Sequence, residues 1–230
     1  MIIKTDSIQL NSSQILKYIG YSNKVSVDQQ TEAEIEEGTK IVKKLLQPKY
    51  IFKKYNSFSI FDGHLKLNDH FIIESDDLCN HLKEAKSIVI LAVTLGMKVE
   101  QLIKREMLIN PSKGLIIDAI ASEYVEKCAN EACNMIINEE LKFRNTRFSP
   151  GYGDLSLKIQ EKIIEVLDTE RKMGLYSNDS FLLLPSKSIT AFFGLFDRKK
   201  TLKKSCKNCQ SLGNCRYRDE GVFCYDQTME

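Results

Sequence analysis

One short segment concentrates residue types that can bind a small ligand. Residues 147–154 read Arg-Phe-Ser-Pro-Gly-Tyr-Gly-Asp. Arg147 can grip a carboxylate with two hydrogen bonds, Tyr152 offers an aromatic face and a hydroxyl, and Gly151 allows close approach to the backbone. If a helix begins directly after the loop, its unpaired amides also attract a carboxylate. The segment suits a ligand with a carboxylate at one end and an aromatic ring at the other, or it is an ordinary helix-entry turn.

A second group with chemical potential lies near the C-terminus. Four of the seven cysteines follow a run of lysines and arginines, and they are Cys206, Cys209, Cys215 and Cys224. In a reducing compartment such a group holds a metal more readily than disulfides. Their C-x2-C-x5-C-x8-C spacing is neither a paired zinc ribbon nor a ferredoxin run. Zn, an iron–sulfur cluster and reduced free thiols therefore all stay open.

The usual catalytic motifs are not found elsewhere in the chain. The sequence contains no Gly-rich phosphate loop with its lysine, no G-x-G-x-x-G after a strand and no G-x-S-x-G. We expect His64, His70 and His81 to be surface or hydrogen-bonded histidines rather than catalysts. A chain without an evident nucleophile or general base favours a protein that positions reactive cofactors.

Composition restricts the class of protein further. The 230 residues carry a formal net charge of +2, which is too small to hold a polyanion, so nucleic acid is a poor candidate partner. No run is long and apolar enough to span a membrane, and the opening residues do not form a secretion signal. We expect a cytoplasmic protein with one main domain, residues 1–197, and a basic Cys-rich tail, residues 198–230.

Hydrophobic periodicity predicts an α+β fold with a twisted, largely antiparallel sheet and long helices. One helix is expected from a capping box at Thr31–Glu34 to Pro48, a second over residues 115–141, and a third from near Asp154 or Ser156. A hairpin turn is expected at Asp62-Gly63. The predicted strands are residues 50–61, 65–73, 88–93, 181–184 and 188–193.

Three segments, taken in order, resemble one known family. Arg147-x-x-Pro150-Gly151-Tyr152 resembles the R-x-x-P-G-Y motif of the activation domain of cobalamin-dependent methionine synthase. Residues 178–190 resemble that family's T-E-S-x-x-M-x-P-x-x-S-V-S-G stretch. Residues 118–126 resemble a helix in which the family places a glutamate near its ligand. The resemblance covers residues 80–195 and implies the fold of that activation domain.

The resemblance also implies a set of ligand-binding residues. Arg147 and Tyr152 are expected to contact S-adenosylmethionine, and Ser149 to contribute backbone contacts. Gly151 belongs to the same motif, and Glu123 is the best candidate for the glutamate of the helix.

The chain departs from the family at two places. The family continues P-G-Y-P-A-C-P-D-H, whereas this sequence continues Pro150-Gly151-Tyr152-Gly153-Asp154, and Ala191-Phe192-Phe193 stands where the family tends to have W-Y. The chain also lacks a cobalamin-binding D-x-H-x-x-G motif. It therefore resembles an activation module that stands alone, or a relative that serves a different corrinoid protein.

The resemblance implies a role in reductive methylation. We expect the chain to bind S-adenosylmethionine beside cobalamin held by a methionine synthase or another corrinoid protein, with a flavodoxin-like electron donor, and not to turn over alone. Two alternatives are a metal-binding interaction protein that contacts nucleic acid through the basic Cys-rich tail and a scaffold for a corrinoid protein that binds no S-adenosylmethionine.

Overall fold

The computed structural model describes residues 1–6, 8–21, 27–140 and 142–198. The predicted metal ligands Cys206, Cys209, Cys215 and Cys224 lie outside these ranges. The described helices are α1 (Ser12–Tyr18), α2 (Gln29–Leu45), α3 (Asp76–Leu82), α4 (Met97–Ile109), α5 (Pro111–Glu140), α6 (Ile159–Leu167) and α7 (Thr169–Met173). The described strands are β1 (Lys49–Tyr55), β2 (Ser59–Phe61), β3 (His64–Asn68), β4 (Phe71–Glu74), β5 (Ser87–Thr94), β6 (Phe143–Arg144), β7 (Tyr176–Ser177), β8 (Leu183–Leu184) and β9 (Ser188–Phe196).

The main sheet has the order β1-β5-β9-β6, and every pairing in it is antiparallel. A second sheet, β2-β3-β4, and a two-stranded ribbon, β7-β8, are also antiparallel. The predicted α+β class with a largely antiparallel sheet is therefore confirmed.

Strand β5 lies at the centre because both of its faces are apolar, as residues 88–93 predict. Val89, Leu91 and Val93 pack toward α1, α2, α4 and α5. Ile88, Ile90 and Ala92 pack toward the β2-β3-β4 sheet, α3 and α6. Full burial of one such aliphatic side chain stabilises the fold by roughly 1.5–3 kcal/mol. The main sheet thus carries one hydrophobic core on each face.

Helix α5 is the longest element, with 30 residues. Pro111 occupies its first position, where the missing amide hydrogen costs nothing, and the side chain of Asn110 accepts a hydrogen bond from the amide of Lys113 at 3.2 Å. The helix therefore begins before residue 115, where the periodicity placed its start. None of the described helices is both long and apolar enough to cross a membrane.

The hairpin predicted at Asp62-Gly63 is confirmed. Phe61 pairs with His64 across the turn, and Asp62 and Gly63 have φ values of 45° and 73°. Positive φ at both central residues is the condition for this tight turn.

Several predicted boundaries are wrong for local reasons. The segments 50–61 and 65–73, each predicted as one strand, are divided into β1 and β2 and into β3 and β4, because residues 56–58 and 69–70 leave the strand conformation. Helix α2 begins before the expected capping box, because Asp28 caps it by accepting a hydrogen bond from the amide of Thr31 at 2.9 Å. Helix α6 begins at Ile159 and not near residue 154, since turns occupy the intervening residues. The strand predicted over residues 181–184 shrinks to β8, because Phe181 has φ of 62°.

Candidate functional site

The loop of residues 147–154 is held at both ends by structured elements. Near its start, Phe148 exchanges two backbone hydrogen bonds of 2.8 Å with Phe192 on β9. At its end, Asp154 caps α3 by accepting a hydrogen bond from the amide of Asp76 at 2.8 Å, and it also pairs with the hydroxyl of Ser75. Two fixed ends restrict the conformations of the residues between them, which is the form of preorganisation that ligand sites need.

The residues that depart from the family motif include Asp154, which anchors the loop to α3. The Gly153-Asp154 pair replaces P-A in the family pattern, and its carboxylate ties the loop to α3. Gly153 has φ of 53°, and a Cβ there would lie 2.9 Å from the Cβ of Asp77. Only glycine fits this conformation at this approach distance without strain.

Arg147 reaches from the loop to the side of α5. One terminal nitrogen of its guanidinium donates to the side-chain carbonyl of Asn130 at 2.7 Å, and the other donates to the carboxylate of Glu126 at 2.5 Å. The Arg147 side chain is 13% exposed, whereas that of Glu126 is 44% exposed. The guanidinium is thus positioned by two partners, and the carboxylate beside it remains accessible to solvent.

Glu123, the residue expected to contact the ligand, lies elsewhere on α5. Its carboxylate is buried and accepts a hydrogen bond from the backbone amide of Asn11 at 3.1 Å, with Lys127 at 3.6 Å. Burial raises the pKa of Glu123, and these two neighbours oppose the increase. The glutamate that contacts Arg147 is Glu126, three residues further along the helix. Glu123 instead joins the N-cap of α1 to α5.

Two backbone amides of the loop donate hydrogen bonds to nearby carbonyls of the chain itself. Gly151 donates to the carbonyl of Leu155 at 2.8 Å, and Tyr152 donates to the carbonyl of Ser149 at 3.0 Å. Because α6 begins only at Ile159, the amides of a helix start do not follow Tyr152 directly. The prediction that such amides would attract a carboxylate at this loop is therefore wrong.

Tyr152 presents its ring at the surface. It is 56% exposed, and its ring lies edge-on to that of Phe148, with 6.0 Å between centroids. The ring of Phe148 in turn contacts that of His81 at 5.2 Å. The rings of His81, Phe148 and Tyr152 therefore form a row that ends in the exposed Tyr152.

His81 supports the loop from α3. Its Nε2 lies 2.7 Å from the backbone carbonyl of Thr146, so the ring must donate a proton there. Burial lowers the pKa of His81, and the hydrogen bond to Thr146 partly opposes the decrease. The expectation of a hydrogen-bonded histidine is confirmed for His81, which supports the residue directly before Arg147.

The second family-like segment, residues 178–190, is tied to the same helix. Lys187 donates from its Nζ to Ser122 at 2.9 Å and forms an ion pair with Asp118 at 2.8 Å. Asp118, Ser122, Glu126 and Asn130 are spaced by four residues and form one polar stripe along α5. Along this stripe, Asp118, which pairs with Lys187, lies about 12 Å from Glu126, which pairs with Arg147. The two segments that resemble the family thus meet on one helix face.

A separate cavity of about 410 Å³ lies between β2 and α3. Its lining residues are Phe58, Ile60, Gly63, Asp76, Cys79, Asn80, Lys83 and Glu84. None of them is a predicted ligand residue. Arg147 and Tyr152 belong to the same anchored loop, but Arg147 contacts α5 whereas the ring of Tyr152 lies against Phe148.

Comparison with known proteins supports the fold. No family model and no curated protein sequence matches the chain. Among solved structures, the chain is similar to the crystal structure of the MetH reactivation domain bound to AdoHcy, with a TM-score of 0.60 and 15% sequence identity. The match covers 96% of this chain and 80% of that one. The chain therefore has the α+β fold of the MetH reactivation domain.

Proposed function

We propose that this protein binds S-adenosylmethionine and supports the reductive methylation of a corrinoid held by a partner protein. The observation that carries the proposal is the loop of residues 147–154, which holds the R-x-x-P-G-Y motif and is anchored within the fold of a domain solved with AdoHcy. AdoHcy is S-adenosylmethionine without its transferable methyl group, so a site for one suits the other.

The described residues suit such a ligand in charge and in hydrogen-bonding groups. Arg147 has more N–H donors than its bonds to Glu126 and Asn130 use, so it can also donate hydrogen bonds to a carboxylate. Glu126 is exposed enough to pair with the ammonium of an amino acid. Tyr152 offers an exposed ring against which an adenine or a ribose can pack.

In this proposal the ligand role expected for Glu123 belongs to Glu126. The reason is contact: Glu126 lies against Arg147, whereas Glu123 is buried under Asn11. Arg147, Gly151 and Tyr152 keep the roles that the motif implies, with Ser149 contributing its backbone.

The chemistry that we propose requires little from the protein's own side chains. S-adenosylmethionine supplies the methyl group, a flavodoxin-like donor supplies one electron, and the partner supplies cobalt as the nucleophile. The contribution of this chain is to hold the sulfonium end of the ligand in line with the partner's cofactor, which is catalysis by proximity. We expect no turnover without that partner.

Titration calorimetry with S-adenosylmethionine and AdoHcy tests the proposal. Arg147→Ala is expected to weaken binding by about ten- to a hundred-fold, because a charged hydrogen-bonding group is lost. Arg171→Ala is the matched control, since Arg171 is an exposed arginine that pairs with Asp168 on another part of the surface.

Two results would contradict the proposal. The first is the absence of binding by the unaltered protein at millimolar ligand. The second is an Arg147→Ala variant that stays folded and binds as tightly as the Arg171→Ala control.

A further inference from the structure

Arg144 is a charged residue in an unusual position. It lies on β6 opposite Leu195 of β9, and residues paired directly across a sheet share a face. Leu195 belongs to the core that packs against α5, so the Arg144 side chain is also directed toward α5. A strand residue on a core-facing side is normally apolar, and an arginine there needs a partner.

The partners of Arg144 do not balance its charge. Its guanidinium donates to the backbone carbonyl of Asn145 at 3.0 Å. The ionisable groups that act on it are Cys133 and Arg147, and burial together with Arg147 lowers the pKa of Arg144. Among the described residues, no carboxylate forms an ion pair with it. A partly buried cation beside a second cation is electrostatically unfavourable unless an anion joins them.

The direction of the Arg144 side chain relates it to the candidate site. Arg147 contacts α5 at Glu126 and Asn130, and Arg144, three residues earlier, faces the same helix from β6 through its position opposite Leu195. Two guanidinium groups are therefore directed toward α5, and Glu126 pairs with one of them. An added carboxylate can bridge the two arginines, and the ammonium of the same ligand can pair with the exposed Glu126.

We propose that Arg144 is a specificity residue that, together with Arg147, binds the carboxylate of the amino-acid portion of the ligand. This inference rests on the proposed function and extends it. Selectivity follows, because a ligand without the carboxylate leaves Arg144 uncompensated. The site then favours AdoHcy and S-adenosylmethionine over adenosine thioethers that lack the amino acid.

The test compares two ligands on matched variants. AdoHcy carries the carboxylate and 5′-methylthioadenosine lacks it, so their affinities are measured by calorimetry for the unaltered protein, Arg144→Gln, Arg144→Lys and the exposed control Arg171→Gln. Arg144→Gln is expected to weaken AdoHcy binding by about ten- to a hundred-fold and to leave 5′-methylthioadenosine binding unchanged. Arg144→Lys is expected to recover part of the loss, and Arg171→Gln to bind like the unaltered protein.

Equal weakening of both ligands by Arg144→Gln would overturn the inference, because it indicates a role in the fold only. Unchanged binding of both ligands would overturn it as well. If the unaltered protein binds neither ligand, the proposed function fails, and thermal unfolding with inorganic phosphate tests the anion site alone. Phosphate that raises the Tm of the unaltered protein but not that of Arg144→Gln supports an anion site at the two arginines; equal shifts refute it.

Discussion

At the scale of single residues, the distinction between Glu123 and Glu126 shows how the surroundings assign a role. Both are glutamates of α5, three residues apart. Glu123 is buried against the start of α1, whereas Glu126 pairs with Arg147 and remains partly exposed. A buried carboxylate is suited to holding elements together, and an accessible one to meeting a cationic ligand group.

The burial of Glu123 predicts a dependence of stability on pH. Because its pKa is raised in the folded state above the usual 4.5, folding favours its protonated form. The free energy of unfolding therefore falls as pH rises from about 4.5 through the raised pKa of Glu123. Above the raised pKa, this contribution no longer changes with pH. Glu123→Gln keeps an acceptor for the amide of Asn11 and removes the buried charge.

We expect Glu123→Gln to be more stable than the unaltered protein at pH 8, with a smaller difference near pH 4.5. Urea denaturation at the two pH values measures the free energy of unfolding. Glu161→Gln, at an exposed position of α6, is the matched control. If the Glu123→Gln variant is less stable than the unaltered protein at pH 8, the buried charge of Glu123 does not destabilise the fold.

At the scale of elements, the loop of residues 147–154 acts as a link between α3, α5 and β9. Phe148 joins it to β9, Arg147 to α5 and Asp154 to α3. His81, on α3, adds a second contact through Thr146. A loop tied to three elements loses little conformational entropy on binding, so this anchoring favours affinity in the function that we propose.

Asp154→Ala tests the link to α3. The variant removes a carboxylate that accepts hydrogen bonds from the amides of Asp76 and Asp77, so the free energy of unfolding should fall by about 1 kcal/mol. Ligand affinity should also fall, because one end of the loop is released. Chemical denaturation and calorimetry measure the two effects.

Asp154→Asn serves as the comparison, since its side-chain carbonyl still accepts from an amide. It should retain more affinity than the alanine variant. If Asp154→Ala loses stability with no change in affinity, the capping contact does not position the ligand loop.

At the scale of the whole molecule, the main sheet separates two cores, and Asn145 links two elements that pack around it. It is buried, donates to the carbonyl of His81 at 2.7 Å and accepts from the amide of Gly194 at 2.8 Å. It therefore joins α3 to β9 directly before the loop of residues 147–154.

Asn145→Ala is expected to lower the free energy of unfolding by about 2–4 kcal/mol, because two buried backbone groups lose their partners. Asn145→Asp should be intermediate, since its carboxylate can accept from Gly194 but cannot donate to His81. Thermal and urea unfolding measure the order of the three proteins. A variant Asn145→Ala as stable as the unaltered protein would show that water replaces both bonds.

The sequence by itself determined those features that depend on neighbours within one segment. The apolar run of residues 88–93, the turn at Asp62-Gly63 and the long periodic helix all follow from local geometry. The alternation of residues 65–73 predicted extended backbone but not the turn that divides the segment into β3 and β4. The boundaries were less accurate where a side chain one turn away competes for the same amide, as Asp28 does at α2.

The tertiary structure decided which side chains meet. Arg147 and Glu126 are 21 positions apart, Lys187 and Ser122 are 65 apart, and Asp154 and Asp76 are 78 apart. Periodicity shows that such residues lie on a helix face or in a loop, but their partners depend on how the elements pack. For the same reason the sequence did not predict that Glu126, and not Glu123, contacts Arg147. The motif is local, whereas the register of α5 against that loop is set only when both pack on the sheet.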